Sequence, residues 1–280
     1  MKAKLLSAIV FCVVVMSLTL GAYAQDAAAT VGQIKAVRVV GDVKVVHAAN
    51  PTAAALSNND AVAQGDVIIT AKQSSVVLVF SNGSTMSLGQ DSKLAVDEFL
   101  QDPFAEEGKV AETKEEPSTS HTKLALTYGE LVGHVRKLKG ESTFLVQTPV
   151  GAAGIRGTTF RIVYRPSGEG KAFFSLSTAS GEVVFQGTTG TPIPVPADQE
   201  VVLDVKIDST TGAVLSVEVT TQNISSDAKQ VIEQQTSAAL DAMKDASFTP
   251  TTTTVSPQSP LPEQPQQELP RTTPGGGQHG

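Results

Sequence analysis

Gly151, Gly154 and Gly157 recur at a spacing of three inside the run Thr148-Pro149-Val150-Gly151-Ala152-Ala153-Gly154-Ile155-Arg156-Gly157-Thr158-Thr159-Phe160-Arg161. Glycine-rich loops are what cradle phosphates, so nucleotide chemistry is the first reading to test. It fails on the neighbours. A phosphate loop needs Gly-Lys before Ser or Thr, where this chain has Gly157-Thr158. A dinucleotide fingerprint needs a helix next, whereas Phe160-Arg161-Ile162-Val163-Tyr164 is β-like. The glycines therefore read as structural, serving sharp bends and close backbone approach, with Pro149 fixing its own φ. Arg156, flanked by Gly154 and Gly157, is the one side chain of the run with a claim to function. Its guanidinium either braces a strand-to-strand corner by bonding backbone carbonyls or presents charge to a partner, and bracing is the expected role.

Other chemistry finds no constellation. His47, His121, His134 and His279 are isolated and form no metal-spaced pair. Asp42 and Asp66 each follow a glycine, where Asp fixes turns, and Asp97 stands alone as a third carboxylate. There is no Gly-x-Ser-x-Gly elbow. With no tryptophan and three tyrosines, the chain lacks the aromatic platform usual in sugar-binding clefts. No catalytic, cofactor or metal site is expected, and the chain is read as a non-enzyme.

The elements that position Arg156 are strands. Ile34 to Val40 and Val43 to His47 flank the turn Gly41-Asp42. After a polar stretch, Ala48 to Ala63, come Val67 to Thr70, Ser75 to Phe80, the Asn82-Gly83 hairpin signal, Thr85 to Leu88 and Lys93 to Phe99. Val76, Leu78 and Phe80 share one face and Val77 and Val79 the other, so this strand should be covered on both sides. Lys123 to Thr127, Leu131 to Leu138 and Thr143 to Gln147 precede the central run. Thr158 to Tyr164, Lys171 to Ser177, Glu182 to Gln186, Glu200 to Ile207 and Val214 to Thr221 follow it. Pro192, Pro194 and Pro196 confine their segment to an edge or a strap. The fold class is all-β: short strands in a twisted solenoid-like or sandwich-like domain, with one C-terminal amphipathic helix and a disordered C-terminal tail.

Met1 to Ala24 has Lys2 and Lys4, an apolar run from Leu5 to Leu20 and the ending Ala22-Tyr23-Ala24, the pattern of a cleaved signal peptide. Cleavage removes Cys12, the sole cysteine, so the mature chain has no disulfide and must hold together by burial. It also reduces the 21 Lys and Arg by two, leaving 19 against 28 Asp and Glu. An acidic surface of this kind disfavours nucleic acid and anionic lipid. No later apolar run is long enough for a membrane span. The β domain is assigned to residues 25–222, with an acidic stretch at 101–122 (Asp102, Glu106, Glu107, Glu112, Glu115 and Glu116) read as a mobile surface insertion. Residues 223–247 form a helix entered through Ser225-Ser226-Asp227, its Ala-rich stripe lying on the β domain. The Pro, Thr, Gln and Gly-rich residues 248–280 read as a disordered tail.

Several motifs in series carry a resemblance. Gly41-Asp42-Val43, Gly65-Asp66-Val67-Ile68-Ile69-Thr70, the apolar strand ending in Asn82-Gly83-Ser84, then Leu124 to Gly129, Phe144 to Pro149 and Arg156-Gly157-Thr158-Thr159-Phe160 resemble the FecR domain family. The resemblance covers about Val37 to Val163 and implies a β-rich, solenoid-like domain outside the cytoplasm. It also implies kinship with regulators that relay a ferric-siderophore signal across a membrane to a sigma-factor-binding segment. Opening on a signal peptide, this chain is expected to lack that segment and its membrane anchor. The function expected is an exported, non-catalytic module, periplasmic or extracellular, that binds an envelope protein or a glycan. The alternative is a structural or surface-display spacer.

Overall fold

The computed structural model describes residues 30–104, 114–188, 190–208, 210–211 and 214–248. The expected signal peptide at 1–24 and the tail from Thr249 onward lie outside the described residues, as do residues 105–113 of the acidic stretch.

In chain order, β1 is Thr30–Val31, β2 Ile34–Val40, β3 Val43–His47, β4 Asn50–Ala55, β5 Ala61–Val62 and β6 Val67–Thr70. β7 is Ser75–Phe80, β8 Thr85–Leu88, β9 Ser92–Gln101, β10 Ser120–His134, β11 Thr143–Thr148 and β12 Gly151–Ile155. β13 is Thr159–Gly168, β14 Lys171–Ser180, β15 Glu182–Gly187, β16 Ile193–Pro196, β17 Gln199–Ile207 and β18 Val214–Asn223, and α1 follows at Ser226–Met243.

The strands form two open sheets sharing one member. Sheet A runs β4, β3, β6, β9, β10, β11, β12, β15, β16, with β1 beside the end of β9. Sheet B runs β5, β2, β7, β8, β10, β13, β14, β17, β18. The ladders do not close on themselves, so this is a sandwich-like arrangement with open edges. β10 serves both sheets, pairing with β9 through Tyr128 and with β13 from Gly129 onward. The sequence suggested two strands broken at Gly129. Gly129 instead bends one strand: its φ of +113° suits glycine, and an added Cβ would sit 2.0 Å from Ser92 Oγ.

Alternation along the strands builds the core. Ile34, Leu78, Phe80, Leu94, Leu126, Phe160, Phe174 and Phe185 point between the sheets in one buried cluster. Phe80 meets Phe99 edge-on at 5.1 Å and Phe174 stacks on Phe185 at 4.9 Å. Such pairs add about 0.5–1.5 kcal/mol each beyond their area burial.

A second, smaller cluster lies on the outside of sheet B, where Val37, Val77 and Val79 meet Ala239, Ala242, Met243, Ala246 and Phe248. This explains why β7 is apolar on both faces. Ser225 caps α1 by accepting the Ala228 N–H at 3.2 Å. The helix leaves the β18 edge and touches β14, β13, β10, β8 and β7. Its 18 residues span about 27 Å, the width of five to six strand spacings. It is a strap across sheet B, and sheet A has no counterpart among the described residues.

The acidic stretch divides on inspection. Gln101 closes β9 and Ser120 opens β10, both buried, and Glu116 is 2% exposed. At residues 114–122 the expected mobile insertion is therefore replaced by docked chain, because the Glu116 carboxylate finds buried donors.

Candidate binding face

The central glycine-rich run contains a strand that its composition concealed. Thr148 Oγ1 donates to the Gly151 carbonyl at 2.8 Å and closes the turn at Pro149 and Val150. β12 then runs between β11 and β15. A Cβ on Gly151 would lie 2.4 Å from the Gln186 carbonyl oxygen, so the small residue sets how closely β12 packs against β15. At Arg156 to Thr158 the chain leaves sheet A for sheet B. Thr158, 1% exposed, donates to the Glu182 carbonyl at 3.1 Å and anchors the crossing.

Arg156 projects from the end of β12 at the surface. Its Nη2 donates to the carbonyls of Lys139 at 3.2 Å and Gly140 at 3.4 Å, and Nη1 to Gly140 at 3.4 Å. These long, exposed bonds tie β12 to the turn before β11, which is the bracing geometry. The same guanidinium edges a shallow groove of about 520 Å³ on the outer face of sheet A, with Glu98, Lys123, Thr143, Leu145 and Gly154 along it. Cross-strand pairs extend the face from Lys123 through Leu145, Gly154 and Val184 to Pro194. Val184 is 41% exposed. One face thus presents an apolar row with a cation at one border, and no helix among the described residues covers it.

The remaining candidates are dispersed. His47 Nδ1 lies 2.9 Å from Asp66 Oδ2, while the Asp66 carboxylate also accepts the N–H groups of Ala48 and Ala63 and so fixes the turn into β6. His121 meets Thr143 Oγ1 and His134 meets Thr159 Oγ1, each at 3.0 Å. Burial first, then the neighbouring Arg136 charge, holds the His134 pKa below its ordinary value. Asp42 lies 3.5 Å from Lys44, and Asp97 is exposed. Among the described residues no three His, Cys, Asp or Glu side chains converge in a metal-holding group. His279 lies outside the described residues.

Sequence reasoning missed a buried polar cluster beside this face. Glu116 accepts hydrogen bonds from Ser120 Oγ at 2.8 Å, from the Lys139 N–H at 2.5 Å and from Ser142 Oγ. Ser120 Oγ in turn accepts from Asn82 Nδ2 at 3.0 Å, and Arg136 Nε donates to the Gly83 carbonyl at 3.0 Å. The Asn82-Gly83 hairpin turn is therefore buried, with Asn82 at 0% exposure. The available signal was the change from Glu and Lys to Pro117-Ser118-Thr119-Ser120 immediately after Glu116.

Residues 66–184 match the family model described as FecR protein. No curated protein matches the chain. Part of the chain is similar to two crystal structures of a candidate anti-sigma factor from Parabacteroides distasonis. One has 13% identity and a TM-score of 0.41, over 60% of this chain and 64% of the other. The second has 13% identity and a TM-score of 0.38, over 56% and 59%. The chain thus spans less than two thirds of those proteins. The matched segment runs from the Asp66 turn through the Asn82-Gly83 turn and Arg156 to Val184, so the open face of sheet A is built largely from the part of the chain that is similar to FecR proteins.

Proposed function

We propose that this chain is an exported, non-catalytic FecR module of a signalling system in the cell envelope, and that it binds an envelope protein through the outer face of sheet A. One observation carries the reading: α1 covers the outer face of sheet B, while sheet A leaves Leu145, Gly154 and Val184 open beside Arg156 and Lys123. A flat row of small and aliphatic residues bordered by charge suits a protein surface. The row from Lys123 through Leu145, Gly154 and Val184 to Pro194 contains no aromatic ring on which a sugar could stack. No helix among the described residues is long and apolar enough to cross a membrane.

The test is retention of envelope proteins on the immobilised mature chain, read beside its thermal melt. Leu145→Arg with Val184→Glu should abolish a specific retained protein while leaving the melt within a few degrees. Retention unchanged by both substitutions overturns the assignment of the face. Retention of glycan fragments in place of protein overturns the assignment of the partner.

A further inference from the structure

The two sheets end in four edges of unequal protection. β16 carries Pro194 and Pro196, which have no N–H to offer. β5 has two residues, and β4 contains Pro51. β18 differs from all three: it is ten residues long, Val-Leu-Ser-Val-Glu-Val-Thr-Thr-Gln-Asn, without proline or a basic residue. Leu215 is 66% and Val219 49% exposed. An edge this long, β-branched and unguarded is a template for another strand.

Its free hydrogen-bonding groups can be assigned. Ile207 N–H donates to the Gly170 carbonyl, on the β14 side of β17, and Ile224 N–H donates to the Asp198 carbonyl. With the register Lys206↔Ser216 to Gln199↔Asn223, antiparallel alternation directs Ser216, Glu218, Thr220 and Gln222 toward β17. Val217, Val219 and Thr221 then point their N–H and C=O groups outward.

We infer that β18 pairs antiparallel with β18 of a second copy of this chain about a two-fold axis at Val219, joining two B sheets into one. In that register Val219 faces Val219 and Val217 faces Thr221, giving about six backbone hydrogen bonds between the copies. Glu218, the only ionisable residue of β18, faces Thr220, so no like charges stand directly opposite. The inner side supports the same occupant. Val217 and Val219 line a crevice of about 90 Å³ between the sheets with Phe185, Ile193 and Leu203. A two-fold partner places its own Val219 and Val217 across that opening and closes both crevices with one contact.

The mature chain, residues 25–280, tests this by sedimentation and by cross-linking. The expected wild-type mass is that of two copies at tens of micromolar. Val219→Pro removes an outward N–H without touching the β17 ladder, so it should give a monomer with an unchanged melt. Val219→Cys introduces a lone thiol, since Cys12 lies in the leader. Facing pairs of this kind place Cα atoms about 5.5 Å apart, within disulfide range, so mild oxidation should yield a covalent dimer. Val184→Cys, on the other sheet, should not. A wild-type monomer at all concentrations, or a dimer that survives Val219→Pro, overturns the inference. So does β18 amide protection that arises only when envelope extract is added.

Discussion

Arg156 and Glu116 hold one turn, Lys139 to Ser142, from opposite sides. Arg156 bonds the carbonyls of Lys139 and Gly140 from the surface, while Glu116 takes the Lys139 N–H and the Ser142 hydroxyl from within. The two grips are unequal. Glu116 is 2% exposed and its bonds are short, whereas those of Arg156 are 3.2 to 3.4 Å and open to water. Glu116→Gln puts an amide donor where donors already converge and should cost about 3 kcal/mol, while Arg156→Ala should cost under about 1 kcal/mol. Urea unfolding of the two variants reads the difference directly. Equal losses would mean that Glu116 is not the inner anchor of the turn.

Arg156 then separates brace from contact by its own variants. If the guanidinium only braces, Arg156→Ala lowers the melting temperature by about 2–4 °C for a domain of this size and leaves partner retention intact. Arg156→Lys recovers part of that loss, since lysine lacks the planar fork that reaches two carbonyls. Retention lost in both variants at an unchanged melt would make Arg156 a partner contact.

The strands around this turn were legible in the sequence wherever side-chain alternation and turn chemistry agreed. β2, β3, β6, β7 and β8 begin and end where Val and Ile runs meet Gly41-Asp42, Gly65-Asp66 and Asn82-Gly83. β12 was hidden because Gly151-Ala152-Ala153-Gly154 has no strand propensity of its own. Pairing with β11 and β15 on both sides imposes its conformation. β4, Asn50–Ala55, was hidden for the same reason, being a polar and alanine-rich edge drawn into place by β3. Glu116 was concealed by its acidic neighbours, since burial of a carboxylate depends on donors at Ser120, Lys139 and Ser142 that only the fold assembles. Arg156 was visible as a candidate because glycines isolate it, whereas the Lys139 and Gly140 carbonyls that it meets are brought to it only by the fold.

His134 predicts an acid-sensitive contribution to stability. Burial and the Arg136 charge lower its folded pKa below the ordinary value of 6.5, so the folded state favours the neutral ring. Between the lowered folded value and the unfolded value the unfolded chain binds the extra proton, and stability rises with pH. The contribution is complete above pH 6.5 and is lost as pH falls through the folded value. The melting temperature of wild type relative to His134→Gln should therefore decline from pH 7 to pH 5. A difference independent of pH would show that the ring is not held neutral.

Gly133 sets the packing of β10 against the inter-sheet core. A Cβ there would lie 2.3 Å from the Phe160 ring and 2.9 Å from Met86 Sδ, and both side chains are fully buried. Gly133→Ala should cost about 1–3 kcal/mol by overpacking. Gly140 has nothing within 4 Å of its added Cβ, so Gly140→Ala should be neutral or stabilise by a few tenths of a kcal/mol through the unfolded chain. Chemical unfolding of both variants checks the contrast, and a tolerated Gly133→Ala would mean that Phe160 can shift aside.

The asymmetry of the two outer faces rests on α1, and Ile232 tests it. Ile232 is 0% exposed on the strap, and Ala239, Ala242 and Met243 follow it over Val77 and Val79. Ile232→Asp removes a buried side chain worth about 1.5–3 kcal/mol and adds an unpaired carboxylate, so the helix should lift from sheet B. Ser225→Ala removes the cap and should cost about 1 kcal/mol without lifting it. Binding of a dye that reports exposed apolar surface should rise for Ile232→Asp alone, because Val37, Val77 and Val79 lose their cover. If the strap serves to confine binding to sheet A, that variant should also capture proteins that the wild-type chain does not. Dye binding and capture that both match the wild type would show that sheet B keeps its face closed without α1.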